Sequence, residues 1–414
     1  MHYIKLLRPP TLDRPSVSNN SRQHPPASST SSVLKISLAI TTDLGDAYLS
    51  PTTPIELLVI GAYTTTDKDG KPQLVPINLT APLARSNNSP KWKPGLRALK
   101  FEVPIPVTPS PITTVQIRPV SREITALGTT DIFPIQKNGK GRGLIMPAFC
   151  DISPESQSSG QQSVCFRSLR LPGDNGQAIQ VEEDMGDSIA RHIWDSGIAT
   201  VSLLADLCLS PHPTQDVMTG LRELLLLQKR QGLNILEIGC GIGMLGIGMA
   251  RVMGHPSFPG TTSAAPQHKI LMTDLPEAEE RARGNIARQA DHLEGGGEDR
   301  LDFEALDWED GKDGNFGKRV AKEKWDLVVV SDCTYNTDTL LPLVKTLSAV
   351  HKHSAAGGKS PKLFLSTKQR HSSEREFYDL MAKEGWVIAE QAVLPLPHVT
   401  GEGKPIEVYL FERK

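Results

Sequence analysis

The fifteen residues from Asn234 to Gly248 read NILEIGCGIGMLGIG, and two ligand-binding spacings overlap in them. Gly241-Ile-Gly243-Met-Leu-Gly246 has the G-x-G-x-x-G spacing of a dinucleotide turn. Glu237-Ile-Gly239-Cys-Gly241-Ile-Gly243 has the E-x-G-x-G-x-G spacing of a turn that holds S-adenosylmethionine. Either ligand can use the backbone N–H groups that such a turn presents where a strand feeds a helix. Glu237 lies inside an otherwise apolar strand, so its carboxylate needs a cationic or hydrogen-bonding partner. A ligand ammonium or a structural cap would each satisfy it.

Three further carboxylates follow at matching places. Asp274 ends the run Ile270-Leu-Met-Thr-Asp274, where two ribose hydroxyls can bind it, a role common to both ligands. Asp307 stands beside Trp308 after the next apolar run, a pairing suited to an adenine ring and its amino group; a helix cap or a solvated loop charge is the competing role. Asp332 and Tyr335 follow the apolar run 326–330, where ligands bind in open α/β sheets. Asp332 could instead cap a helix starting near Thr337. Cys333 has no His and Asp in a nucleophilic arrangement, so covalent catalysis is not expected.

Elements of alternating type must position these groups. Helical stretches are expected at 198–209 and 216–229. Strands are expected at 234–238, 269–273, 301–306, 326–330, 362–366, 386–389 and 406–411, with helices between the first six. The stretch AVLPLPHVTGEGKP, between the last two, is too short and too broken for a crossover helix, so these strands pair as an antiparallel hairpin. The result is a doubly wound α/β sheet with an antiparallel last strand.

The first part of the chain has another character. Of 32 prolines in 414 residues, 21 precede residue 173, which excludes long helices there. Residues 33–150 alternate or carry short apolar runs, such as Leu34–Ile40, Ile55–Ile60, Leu99–Val103 and Thr114–Ile117, and read as a β-rich domain. Residues 1–32 read as a disordered leader and 151–163 as a linker. Strands at 164–171 and 178–183 read as a hairpin introducing the second domain, 164–414. The loops GHPSFPGTTSAAPQH and EGGGEDR read as mobile insertions. A net charge of −2 without a polybasic run argues against a bulk grip on nucleic acid, and no apolar run approaches a bilayer span. Five scattered cysteines without a C-x-x-C pair indicate a reducing compartment and no metal site.

Five stretches together resemble the seven-strand S-adenosylmethionine methyltransferases, and more closely the family-16 protein-lysine methyltransferases. They are HIWDSGIATVSLLADL, ILEIGCGIGMLGI, ILMTDLPEAEERARGNI, FEALDWED and WDLVVVSDCTYNTDTLLPLVKTL. The W-D-x-G of the first and the D-x-x-Y of the last are the specific elements. The resemblance implies a Rossmann-like seven-strand methyltransferase sheet with an antiparallel last strand, behind a β-rich N-terminal domain. It implies S-adenosyl-L-methionine as cofactor, with Trp194 against it and Gly239, Gly241 and Gly243 allowing close backbone approach. Asp274 then takes the ribose, Asp307 and Trp308 the adenine region, Glu237 the cationic end, and Asp332 with Tyr335 face the methyl group and the nucleophile. DCTYN lacks the paired prolines of adenine and glutamine amino-group methyltransferases. The resemblance makes a lysine side chain of another protein the expected acceptor, in a monomer of the cytoplasm or nucleus, with mitochondrial import a lesser alternative. A small-molecule amine or nucleic acid as acceptor, or a noncatalytic scaffold, are the competing readings.

Overall fold

The computed structural model describes residues 1–13, 32–68, 70–132, 144–152, 164–173, 178–185, 188–211, 213, 217–227, 232–259, 268–289, 300–396, 398–399 and 403–414. Its first part is a β-sandwich. One sheet runs Thr11–Asp13, Val33–Thr41, His2–Leu6, Ile145–Met146, with Leu99–Pro104 also beside Val33–Thr41. The other runs Ala178–Asp184, Val164–Arg170, Ala148–Asp151, Ile112–Pro119, Ile55–Thr66, Pro72–Asn78, with Lys91–Trp92 on Ile55–Thr66. From Ile55 to Ala62 buried and half-buried residues alternate, as a strand with one face on a core requires. Ile36, Leu38, Leu57, Val59 and Ile117 fill the space between the sheets.

Three expectations for this part are corrected. Residues 1–13 are not a disordered leader. His2–Leu6 turns Ile4 and Leu6 into the sandwich core and Tyr3 into the apolar cluster on its other face, and it pairs antiparallel with Val33–Thr41 from Tyr3↔Thr41 to Leu6↔Leu38. Residues 14–31 of that leader lie outside the described residues. The linker begins later than expected, since Asp151 still pairs with Thr114; residues 153–163 lie outside the described residues. The hairpin Val164–Arg170 with Ala178–Asp184 forms, but it extends the sandwich sheet through Phe149↔Phe166. The β-rich unit therefore reaches Asp184. Most of both insertions, at 260–267 and 290–299, also lies outside the described residues.

The second part is a seven-stranded sheet, whose strands are β1 (Asn234–Ile238), β2 (Lys269–Asp274), β3 (Leu301–Ala305), β4 (Leu327–Ser331), β5 (Lys362–Thr367), β6 (Trp386–Leu394) and β7 (Ile406–Arg413). Their order is β3-β2-β1-β4-β5-β7-β6, with β1 to β5 parallel and β7 antiparallel to both neighbours. β1 and β4 are central, and their apolar runs are buried on both faces. The expected helix at 216–229 is observed as Thr219–Leu227. All fifteen residues of the helix Asp195–Leu209 are buried. It joins Met1, Tyr3, Ile132 and Met146 of the sandwich to Leu394, Val408 and Leu410 of the sheet in one continuous core. No helix among the described residues is long and apolar enough to cross a membrane.

Candidate active site

The carboxyl ends of β1, β2 and β4 open onto a cavity of about 320 Å³. β1 ends in the glycine turn, and Gly239, Gly241 and Gly243 have φ of +75°, +53° and +85°. Gly239 is required twice over: besides its left-handed backbone, a Cβ there would lie 2.2 Å from Cys333 Sγ. Gly246, one turn into the helix Met244–Met253, leaves room for the Glu237 carboxyl, since its Cβ would lie 2.5 Å from Glu237 Oε2. Instead the Gly246 amide donates to that oxygen at 3.0 Å. Burial pushes the Glu237 carboxyl up to about 8; the Gly246 amide opposes the shift and the Asp274 charge adds to it.

Asp274 ends β2 and accepts from the Gly241 amide at 2.7 Å through Oδ2 and from the Leu275 amide at 2.7 Å through Oδ1. Burial raises its carboxyl above the ordinary range despite those two amides. Each oxygen keeps a lone pair for a ligand hydroxyl. Asp307 lines the cavity and also takes the competing structural role, capping the helix Trp308–Gly311 by accepting from the Glu309 amide at 2.9 Å. The cap uses Oδ1. Trp308 lies against Gly239, within 3.4 Å of where a Cβ would stand.

Asp332 follows β4 with φ +54°, an unusual conformation for a residue with a side chain. Its Oδ2 accepts from the Ser196 amide at 3.1 Å; its Oδ1 accepts from the Lys368 amide at 3.0 Å and from Arg370 Nη1 at 3.1 Å. It thus ties β4, the strand end of β5 and the first turn of the helix Asp195–Leu209 together, and the negative charge suits that helix N-terminus. It does not cap the helical turn near Thr337; Asn336 does, through a bond from the Asp338 amide at 3.1 Å. Tyr335 is 47% exposed at the cavity mouth, near the exposed Ile189 and Leu275. Cys333 is buried, and burial first, then the charges of Asp274 and Asp332, raise its thiol well above its ordinary range, which leaves it inert.

Trp194 precedes the buried helix and lines the cavity, with the Arg370 guanidinium 4.9 Å from its ring centroid. All the acids and aromatic residues singled out from sequence meet at this one cavity, together with Gly239 and Gly241; Gly243 starts the helix behind them. Sequence reasoning left Lys368 and Arg370 without a role and did not single out Asp43, or His192, which also lines the cavity. Lys368 Nζ donates to Asp195 at 2.6 Å and to Asp43 at 2.8 Å, and Arg370 Nη2 donates to Asp43 at 3.1 Å. The only available signal was the position of Lys368-Gln-Arg370 after the apolar run of β5.

Electrostatics decides which cofactor the cradle fits. Among the described residues the cavity wall carries the acids Glu237, Asp274, Glu277, Asp307, Glu309 and Asp332 and no lysine or arginine; the nearby Arg370 is bonded to Asp332 and lies over Trp194. A pyrophosphate would face carboxylates in a partly desolvated space, whereas a sulfonium and an ammonium find them complementary. With the sheet order and the glycine turn, this defines a Rossmann-like S-adenosylmethionine-dependent methyltransferase. The lysine methyltransferase family matches residues 174–384, half of the chain, and the chain belongs to that family. S-adenosyl-L-methionine is its cofactor.

Among curated proteins, a UPF0665 family protein of Schizosaccharomyces pombe is 26% identical over 233 residues, 56% of this chain and 55% of its own. The chain thus spans about half the length of that relative. Among solved structures, a TehB-like methyltransferase of Corynebacterium glutamicum is 14% identical with a TM-score of 0.26, over 46% of this chain and 86% of its own. An arsenic(III) S-adenosylmethionine methyltransferase of Chlamydomonas reinhardtii is 17% identical with a TM-score of 0.29, over 44% and 63% respectively.

Proposed function

We propose that the protein methylates a lysine side-chain nitrogen in another protein. The observation that carries this reading is the mouth of the cavity, where the half-exposed Tyr335 stands above a wall of acidic side chains that, among the described residues, includes no lysine or arginine. Such a mouth suits a long, cationic, amphipathic side chain presented from a protein surface. The bound cofactor supplies an electrophilic methyl group on a sulfonium. The chain's own residues hold and align. In this reading Glu237 faces the ammonium of the cofactor's amino-acid end, Asp274 its ribose hydroxyls, and Asp307 with Trp308 its adenine. Trp194 packs against it, and the glycine turn lets the backbone approach closely.

Asp332 acts as a positioning residue rather than a base. Its two oxygens already accept from Ser196, Lys368 and Arg370, so its charge is spent on internal donors. The wall attracts the lysine as an ammonium, and the open mouth lets the proton leave to water before attack. Tyr335 orients the neutral amine for in-line displacement, which places the main catalytic contribution in alignment.

Calorimetric titration with S-adenosylhomocysteine, beside NADH and an Asp274→Ala control, tests the cofactor assignment. Binding of the nucleoside product alone, lost in the control, is expected. Incubation of a cell extract with methyl-labelled cofactor and the enzyme then tests the acceptor. Label is expected in protein hydrolysates as methyl-lysine. Label found only in nucleic acid or in small amines would overturn the lysine reading and leave the cofactor assignment standing.

A further inference from the structure

The β-rich unit reaches the cofactor cavity through one carboxylate. Asp43 lies just after the strand Val33–Thr41, is 2% exposed, and has its carbonyl held by Lys5 Nζ at 2.8 Å. Its Oδ1 accepts from Lys368 Nζ and its Oδ2 from Arg370 Nη2. Asp43, Lys368 and Arg370 are not part of the cavity wall, but the groups beyond them are. Arg370 uses its other terminal nitrogen on Asp332 and lies over the Trp194 ring, and both of those residues line the cavity. Lys368 also grips Asp195, next to Trp194, whose carboxylate further accepts from Tyr3 Oη at 2.6 Å and from the Met1 nitrogen at 3.1 Å.

We infer that Asp43 is a positioning residue of the active site: it fixes Arg370, and through it the Trp194 ring and the Asp332 carboxylate, in the geometry that binds the cofactor. The inference rests on the assignment of this cavity to S-adenosylmethionine. A guanidinium has a rigid fork and a long, rotamer-rich stem. Here the fork is shared between two carboxylates, one on each terminal nitrogen, and it lies over an indole ring. Asp332 and, at 3.3 Å, the Lys368 carbonyl hold the same nitrogen, Nη1, and leave the plane free to turn about it. Asp43 supplies the second anchor, and its own burial in the sandwich makes that anchor stiff. The β-rich unit is thereby a structural part of the methyltransferase site. It is more than a cover for an apolar face.

The test is the affinity for S-adenosylhomocysteine, measured by calorimetry on the full chain for the wild type, D43N, R370K and the double variant, with a thermal melt for each. D43N and R370K are each expected to weaken binding about fivefold or more, and the double variant to be no weaker than the weaker single, because both act through one guanidinium. Weakening of less than fivefold in D43N, or fully additive losses, overturns the inference while wild-type binding keeps the cofactor assignment intact. A role limited to holding the two units together would lower the melting temperature and leave the affinity unchanged. If D43N does not fold, R370K alone decides: unchanged affinity in that folded variant overturns the proposal. Wild-type chain that does not bind the nucleoside product removes both this inference and the assignment beneath it.

Discussion

Glu237 carries a proton at neutral pH that its model-peptide counterpart would have lost. It is 1% exposed, and burial holds its carboxyl at about 8 against 4.5 for the ordinary side chain. The folded, ligand-free protein keeps this proton between pH 4.5 and 8 while the unfolded chain releases it. The stabilising contribution is therefore complete below pH 4.5 and is lost as pH rises through 8, with a limiting slope of about 1.4 kcal/mol per pH unit. Held at Glu237 as proposed, a ligand ammonium favours the ionised carboxylate, so affinity for S-adenosylhomocysteine rises between pH 6 and pH 8 and binding releases a proton. Glu237→Gln mimics the neutral acid and keeps an acceptor for the Gly246 amide. It is expected to melt no lower than wild type at pH 8, to bind at least about tenfold more weakly, and to lose the pH slope. Titrations in buffers of different ionisation enthalpy read the proton directly; a wild-type affinity that is flat across this range sinks the assignment. At this scale Glu237 and Asp274 were legible because each ends or interrupts an apolar strand. Asp43 was illegible, because nothing local to a charge tells which distant charge it will meet.

The helix that carries the W-D-x-G segment and the helix that follows the glycine turn cross at a point of very close approach. A Cβ on Gly248 would stand 2.2 Å from Val201 Cγ2, so the helix Met244–Met253 packs its backbone directly on the helix Asp195–Leu209. Gly248→Ala forces the two apart or forces Val201 off its rotamer, at about 1–3 kcal/mol. Since Trp194 and Gly243 sit at the starts of these helices, the same change is expected to loosen cofactor binding. Val201→Ala, which opens the space, is expected to restore part of the stability in the double variant. Thermal melts of the two singles and the double decide it, and a double variant no better than Gly248→Ala rejects the contact as the cause. Elements of this kind were readable in outline. The strands of the seven-stranded sheet fall within a residue or two of the positions their apolar runs mark, β6 apart, which runs on to Leu394. The antiparallel pair followed from the short, broken connection between β6 and β7. The short strands Thr11–Asp13, Lys91–Trp92 and Ile145–Met146 were not readable, since two or three residues carry no periodicity.

On the scale of the whole molecule, the composition shift near residue 180 marks where helices begin and misleads about where packing ends. The proline-rich part suggests an independent domain, yet its first strand and its last hairpin are built into the other half. Met1 and Tyr3 share one apolar cluster with Ile198, Leu203, Val408 and Leu410. Buried charge follows the same route: Arg167 on the hairpin donates to Glu183 at 2.6 Å, and Glu183 accepts from the Ile193 amide at 3.0 Å, just before Trp194. The helix Asp195–Leu209, buried on every side, cannot satisfy the usual pattern of one apolar face and one wet face, so it needs both halves around it. Separating the halves would expose the side of that helix that packs on the first half, around Met1, Tyr3, Ile132 and Met146, and burial of each large apolar side chain is worth about 1.5–3 kcal/mol. A few such residues already match the whole stability of an ordinary domain, about 5–15 kcal/mol. The full chain is therefore expected to unfold in a single calorimetric transition, with its enthalpy equal to the van't Hoff value, and residues 188–414 expressed alone are expected to be insoluble or molten. Two resolved transitions, or a soluble 188–414 fragment with a sharp melt, would show that the sandwich is a separable domain and that its contacts with the helix are incidental.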